Sequence, residues 1–227
     1  MMPPVSNAIE MGTNAVLSQR RGLYAIVDAD ALAGRDVLSF ARRVLDAGAL
    51  FALQWRAKSW TASRSLDAAR ALAELCRSAR VPFVVNDRPD VALLAPAEMV
   101  HVGQEDLPIE AVRRVARGLA LGVSTHDESQ VTRALEQHPD YLAFGPIFAT
   151  SSKKNPDAVV GTARLAAVVR MAGPVPVVAI GGITLARAQE VRASGATAAA
   201  VIAVLADAPD REVTDCARTL HRALGGT

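Results

Sequence analysis

The sequence predicts a single-domain (β/α)8 TIM barrel of the α/β class. Three observations carry that expectation. Short β-rich runs alternate with alanine-rich segments of helical spacing along the chain. Eight such units fit within 227 residues, and barrels of this kind close in about 200–250. Polar side chains also gather just after the strand-like runs, where a barrel places its functional loops. Alternating strands and helices imply a parallel sheet. An open doubly wound sheet is the competing arrangement, but no GxGxxG follows the first strand and the glycine pair Gly181-Gly182 comes late.

Composition narrows the function classes. Apolar residues make up 51% of the chain, and 25 Lys plus Arg face 23 Asp plus Glu for a net charge of +2. That content excludes disorder and supplies one large core. Basic residues are interspersed with acidic ones, so no nucleic-acid footprint is expected. No apolar run approaches the ~18 residues of a membrane span, and residues 1–21 lack the apolar stretch of a secretory signal. Two cysteines, Cys76 and Cys216, do not make a disulfide framework. The expected setting is a reducing cytoplasm. Oligomeric state, a homo-oligomer included, stays open.

The strands are expected at 23–27, 50–55, 83–85, 99–102, 119–123, 141–144, 175–180 and 199–204. Helices are expected at 37–47, 63–79, 109–116, 128–137, 163–171, 185–193 and 213–223. Gly48, Gly118 and Gly195 stand just past helical runs, where a left-handed residue ends a helix cheaply. Pro82 and Pro176 stand at strand entrances, where a missing N–H is tolerated. The barrel domain is taken as 22–227, with 1–21 an extension or a short extra helix beneath it.

Strand ends then select the candidate site. Strand two runs into Gln54, Arg56 and Lys58, and strand three into Asn86 and Asp87. Strand four leads to Asp106, and strand five to Ser124, Thr125 and His126. After strand six come Thr150, Ser151, Ser152 and Lys153. Two carboxylates on adjacent strand ends, Asp87 and Asp106, suit Mg²⁺ shared with a phosphate, because Mg²⁺ takes few protein oxygens and keeps waters. Arg56, Lys58 and Lys153 are expected to face the same anion. Gly181-Gly182, after strand seven, lets backbone N–H groups approach a second phosphate.

Six segments occur in a fixed order: Gln54-Trp55-Arg56-Ala57-Lys58, Val85-Asn86-Asp87-Arg88, His101 through Pro108, Gly122 through His126, Gly145 through Phe148 with Thr150 to Lys153, and Ala179 through Ile183. Together they resemble the thiamine phosphate synthase family, from about Gly22 to the last helix. The resemblance implies a transferase that joins 4-amino-2-methyl-5-hydroxymethylpyrimidine diphosphate to a thiazole phosphate and releases diphosphate. It implies that Gln54, Trp55, Arg56, Ala57, Lys58, Asn86, Ser124 and Lys153 contact the pyrimidine diphosphate. Among these, Arg56, Lys58, Ser124 and Lys153 would be catalytic. Asp87 and Asp106 would bind Mg²⁺, and Thr150, Ser151, Ser152, Gly182, Ile202 and Ala203 would hold the thiazole phosphate.

The chain departs from the family pattern at Ala57, where an acidic residue is common, at Trp55, usually aliphatic, at Ala149, often Pro, and at Ala203, often Ser. Two other functions share these features. A thiazole tautomerase on the same barrel would use a histidine near His126, and a non-catalytic sensor would only bind phosphorylated ligands. The paired carboxylates and the cations favour diphosphate release over both. His101 is expected to be a packed or bridging imidazole, and His138 and His221 surface residues. Trp60 either covers the strand-two loop or packs on it.

Overall fold

The computed structural model describes residues 17, 19–150 and 157–227. Expectations placed on 1–16, 18 and 151–156, including Ser151, Ser152 and Lys153, lie outside the described residues. The strands are β1 (Gly22–Asp28), β2 (Ala52–Arg56), β3 (Phe83–Asn86), β4 (Met99–Val102), β5 (Ala120–Thr125), β6 (Tyr141–Phe144), β7 (Val177–Ile180) and β8 (Ala198–Val201). They close in sequence order, every neighbouring pair parallel, β8 returning to β1. The described helices are α1 (Val37–Leu45), α2 (Ala62–Ala79), α3 (Pro89–Leu94), α4 (Ile109–Val115), α5 (Glu128–Leu135), α6 (Gly161–Ala172), α7 (Leu185–Ala193), α8 (Ala203–Ala206) and α9 (Val213–Ala223). Local chemistry starts several of them. Asp36, Thr61 and Asp127 accept from Ser39, Arg64 and Gln130 N–H at the first turns of α1, α2 and α5.

Strand alternation divides each strand between two cores. Leu23, Ala25, Val27, Leu53, Trp55, Phe83 and Val85 face the helical ring. Tyr24, Ile26, Ala52, Val84, Met99, Tyr141, Ala143, Val178, Ala198 and Ala200 fill the barrel interior. Leu17, ahead of β1, is fully buried in that interior cluster. Arg20 ties the same segment down by donating to Leu50 O and Arg80 O. Three rings, Tyr24, Phe51 and Tyr141, meet tilted or edge-on at the bottom. Gly122 makes room for them, since a Cβ there would stand 2.0 Å from Tyr141 Cζ.

Several boundaries differ from the sequence expectation. The eighth strand ends at Val201, not 204, and Ala203 already begins α8. An Ala/Val run has no alternation to mark where extended chain stops. The seventh strand starts at Val177, because Val175 N–H still closes the turn from Ala172 O. Helix α3 was not expected, being six residues opened by Pro89. His221 is buried, not on the surface. Its Nδ1 accepts from Leu23 N–H, and Gly226 folds back against the ring.

Candidate active site

At the C-terminal mouth of the barrel the interior opens into a cavity of about 640 Å³. Gln54, Arg56, Asn86, His101 and Ser124 line one side, from β2 to β5, and Gly181, Gly182, Ile202 and Ala203 line the other. Thr150 and His126 also border it. Strand pairing dictates this set. Asn86 lies level with His101 and His101 level with Gly122, so alternate residues of neighbouring strands meet in layers.

The same alternation corrects two expectations. Trp55 stands between Gln54 and Arg56 and therefore points outward, 1% exposed, where its indole N–H donates to Ser65 Oγ at 3.0 Å. Ala57 packs on the outer core and is not part of the cavity wall. Trp60 packs edge-on against Trp55, with the Arg64 guanidinium over its face.

Arg56 is held by a residue that sequence reading missed. Asp28, the last residue of β1, is buried and forms an ion pair with the guanidinium. Its Oδ1 also accepts from the backbone N–H groups of Asp30 and Ala31. An acidic residue at a strand end is the available signal, but the β-rich run read from sequence stops at Val27, one residue short of it.

Lys58, Asp87 and Asp106 cluster next to Asn86, outside the residues that line the cavity. Lys58 Nζ lies 2.5 Å from Asp87 Oδ2. The two carboxyl groups share a hydrogen bond, and Gly103 N–H donates to Asp106 Oδ2 at 2.8 Å. Burial and the Asp106 carboxyl push Asp87 up to about 6, outweighing Lys58. Asp106 goes the other way: burial would raise it, but the bonds from Asp87 and Gly103 hold it below its ordinary value. Asp87 adopts φ of 62°, a left-handed backbone that aims its side chain back along the rim. Among the described residues no cluster of three or more His, Cys, Asp or Glu side chains could hold a metal. The carboxyl pair nonetheless fits Mg²⁺: two hard oxygen groups in contact, one resisting ionisation because it is buried against the other, are what a divalent ion relieves.

On the opposite side, Gly181 and Gly182 have φ of 98° and 63°. A Cβ on Gly182 would sit 2.3 Å from Ala149 O, so only glycine lets this turn pack against the β6 loop. Arg187, also unforeseen, donates to Gly182 O at 2.7 Å and lies over the Phe148 ring. His126 Nδ1 donates to Gly145 O at 2.6 Å, and its Nε2 is 3.5 Å from Asp157 Oδ2. That imidazole orients the loop after β6.

The barrel floor holds a chain of polar groups. Gln54 Nε2 donates to Tyr24 Oη at 2.8 Å, Tyr24 Oη and Tyr141 Oη are 2.8 Å apart, Tyr141 Oη lies 3.0 Å from His101 Nδ1, and His101 Nε2 lies 2.8 Å from Ser124 Oγ. Burial lowers His101 to about 4 and raises both tyrosines.

Residues 23–205 match the model of a family described as thiamine monophosphate synthase. A thiamine-phosphate synthase of Chloroflexus aurantiacus is 41% identical over 199 residues, covering 88% of this chain and 90% of the relative. One from Laribacter hongkongensis is 41% identical over 189 residues, with 83% and 89% covered. The solved thiamine phosphate pyrophosphorylase of Pyrococcus furiosus superposes with a TM-score of 0.83 at 31% identity, over 92% of this chain and 97% of that one.

Proposed function

The chain belongs to the thiamine monophosphate synthase family, whose members are transferases, and from that premise we propose that it joins the pyrimidine diphosphate to the thiazole phosphate at this cavity, yielding thiamine monophosphate and diphosphate. One observation carries the reading. Arg56 and Asn86 stand on the β2–β3 side of the cavity, the Lys58–Asp87 pair follows them in the chain just outside its lining, and a glycine turn stands on the β7–β8 side, with hydrogen-bonding groups between. Two anionic tails can thus bind apart while the rings they carry meet.

The thiazole nitrogen attacks with its own lone pair and has no proton to lose, so the bond from the pyrimidine methylene to diphosphate oxygen is the difficult one to break. The electron-rich aminopyrimidine supports positive charge on that methylene as the bond lengthens. The matching negative charge grows on the diphosphate, where Arg56 and Lys58 meet it. Arg56 arrives already oriented by Asp28. Opposite unit charges ~4 Å apart at an effective dielectric of ~20 attract by about 4 kcal/mol. Two such contacts, even if mostly present in the ground state, leave enough for a large acceleration at ~1.4 kcal/mol per tenfold. Asp87 and Asp106 would hold Mg²⁺, which supplies further neutralisation of the departing oxygen when bound.

Ser124 and Gln54 position the pyrimidine, and Asn86 borders its methylene end. Gly182, Ile202 and Ala203, with Thr150, receive the thiazole phosphate. The lost hydroxyl at Ala203 leaves that contact to backbone N–H. Lys153 would add charge from the β6 loop. Among the described residues no helix is long and apolar enough to cross a membrane.

The test is turnover with both precursors and Mg²⁺, with and without a chelator. Diphosphate release with thiamine monophosphate formation is the expected result. Thiazole isomer interconversion alone, or binding without chemistry, overturns the reading.

A further inference from the structure

We propose that Gln54, Tyr24, Tyr141 and His101 form a one-way hydrogen-bond chain that fixes Ser124 as a proton donor toward the cavity. This rests on the reading of Gln54 and Ser124 as the pyrimidine contacts and adds what sets their polarity. The argument is an accounting of protons. Tyr24 and His101 border the cavity yet are 1% and 6% exposed, Tyr141 is 0% exposed, and each hydroxyl and ring nitrogen of the three already has its partner within the chain.

Gln54 starts it. Its amide N–H donates to Tyr24 Oη, which has one proton of its own to place. The other polar atom at hand for that proton is Tyr141 Oη. Tyr141 has thereby been given a proton and passes its own to His101 Nδ1. The imidazole then carries its hydrogen on Nε2 and donates it to Ser124 Oγ. Ser124 borders the cavity, and among the described residues its own proton has no other acceptor. It therefore points at whatever occupies the cavity.

With the Gln54 amide oriented as it is, its N–H on Tyr24 Oη, running the chain backward fails at one atom. With Nδ1–H donating to Tyr141, and Tyr141 to Tyr24, the Tyr24 oxygen would face two donors and its own proton would be stranded. An imidazolium fails in the same way. A stranded buried hydroxyl proton disfavours those states by about tenfold or more. At the other end, donation through Nε2 leaves the Gln54 carbonyl oxygen as the acceptor on the cavity side. The two ends are then complementary to a heterocycle that offers a donor toward Gln54 and an acceptor toward Ser124. An aminopyrimidine has both, on its amino group and a ring nitrogen. Tyr141 is not on the cavity wall and acts only through its neighbours. Tyr24, Tyr141 and His101 are in this sense positioning residues, and Gly122 is the opening that admits the Tyr141 ring to the chain.

The test is the tautomer of His101 in the full-length protein labelled with ¹⁵N-histidine, assigned by the signal lost in His101→Gln. Nitrogen shifts near neutral pH are expected to show the Nε2–H form in about tenfold excess or more over Nδ1–H. In Gln54→Met the first donor is gone, and the Nδ1–H fraction is expected to rise several-fold. An Nδ1–H or doubly protonated His101 in the unaltered protein overturns the proposal. So does a wild-type Nε2–H ratio that Gln54→Met leaves unchanged. The readout needs no turnover, so its failure is separable from a failed synthase assay.

Discussion

Asp28→Asn separates the placement of Arg56 from the stability of the turn that bears it. The carboxylate does two jobs with two oxygens. Oδ1 accepts from Asp30 N–H at 2.9 Å and Ala31 N–H at 3.1 Å, and Oδ2 pairs with the Arg56 guanidinium. Asparagine keeps the size and one acceptor oxygen, so the turn survives with Oδ1 in place. The amide nitrogen then meets Arg56 donor to donor. The pair is 4% and 19% exposed on its two sides. A Coulomb term of about 4 kcal/mol at an effective dielectric of ~20 is therefore roughly halved by solvent at the Arg56 end. About 2 kcal/mol of orienting energy is lost. Arg56 then samples positions away from the diphosphate, and kcat/KM is expected to fall about 10- to 100-fold. Unfolding by urea is expected to drop by only ~1–3 kcal/mol, the range for a charged hydrogen bond. Asp28→Ala, which also strips the two N–H groups of their acceptor, should lose ~1–2 kcal/mol more. Steady-state kinetics beside urea titrations check both numbers. If Asp28→Asn kept wild-type kcat/KM, Arg56 would not owe its position to Asp28, and the preorganisation argument would be wrong.

Three further outcomes follow from the same geometry. Asp87→Asn, chosen because asparagine tolerates the left-handed backbone at φ of 62°, is expected to raise the Mg²⁺ concentration for half-maximal turnover at least about tenfold; an unchanged Mg²⁺ titration would remove Asp87 from the metal site. His101, lowered to about 4 by burial against an ordinary value of 6.5, binds its proton more readily in the unfolded chain, so its contribution is complete above about pH 6.5 and is lost as pH falls toward 4. The ceiling is about 3 kcal/mol, and imidazole carbon shifts that titrate above pH 6 would contradict it. Gly182→Ala places a Cβ 2.3 Å from Ala149 O on a backbone of φ 63°. It is expected to raise KM for the thiazole phosphate by tenfold or more while leaving that for the pyrimidine diphosphate within about twofold, at ~1–3 kcal/mol of local strain; equal changes in both would move the glycine turn out of the thiazole phosphate site.

Most of the barrel was legible because alternating strand and helix patterns are strong signals and polar residues cluster where strands end. The order β1 to β8 and the convergence of Gln54, Arg56, Asn86 and Ser124 on one cavity follow from that pattern. The failures have physical sources. The family resemblance implies contacts along the whole segment from Gln54 to Lys58, although strand alternation alone turns Trp55 away from Gln54 and Arg56. The eighth strand was read too long because alanines and valines suit either state. His221 read as exposed because its cover is a folded-back glycine tail, a contact made by residues five positions on. Tyr24 and Tyr141 carried no signal as a pair, since their hydroxyls meet across 117 residues.

The division within β2 explains why so small a barrel can carry both a firm core and a charged mouth. Each successive inward residue has a different solvent and a different partner. Ala52 lies among the apolar interior residues, Gln54 opens the buried polar chain, and Arg56 reaches the half-wet rim beside Asp28. The outward residues between them, Leu53 and Trp55, spend their area on the helices. Polarity therefore rises along the strand by two-residue steps, and burial falls with it. A charge placed one step lower would be stranded without water, and an apolar residue one step higher would leave the mouth without a cation for an anionic ligand. The rim can be chemically active because the layer beneath it is already satisfied: every hydroxyl and ring nitrogen from Tyr24 to His101 has its partner, so binding a ligand reorganises only the groups that touch it.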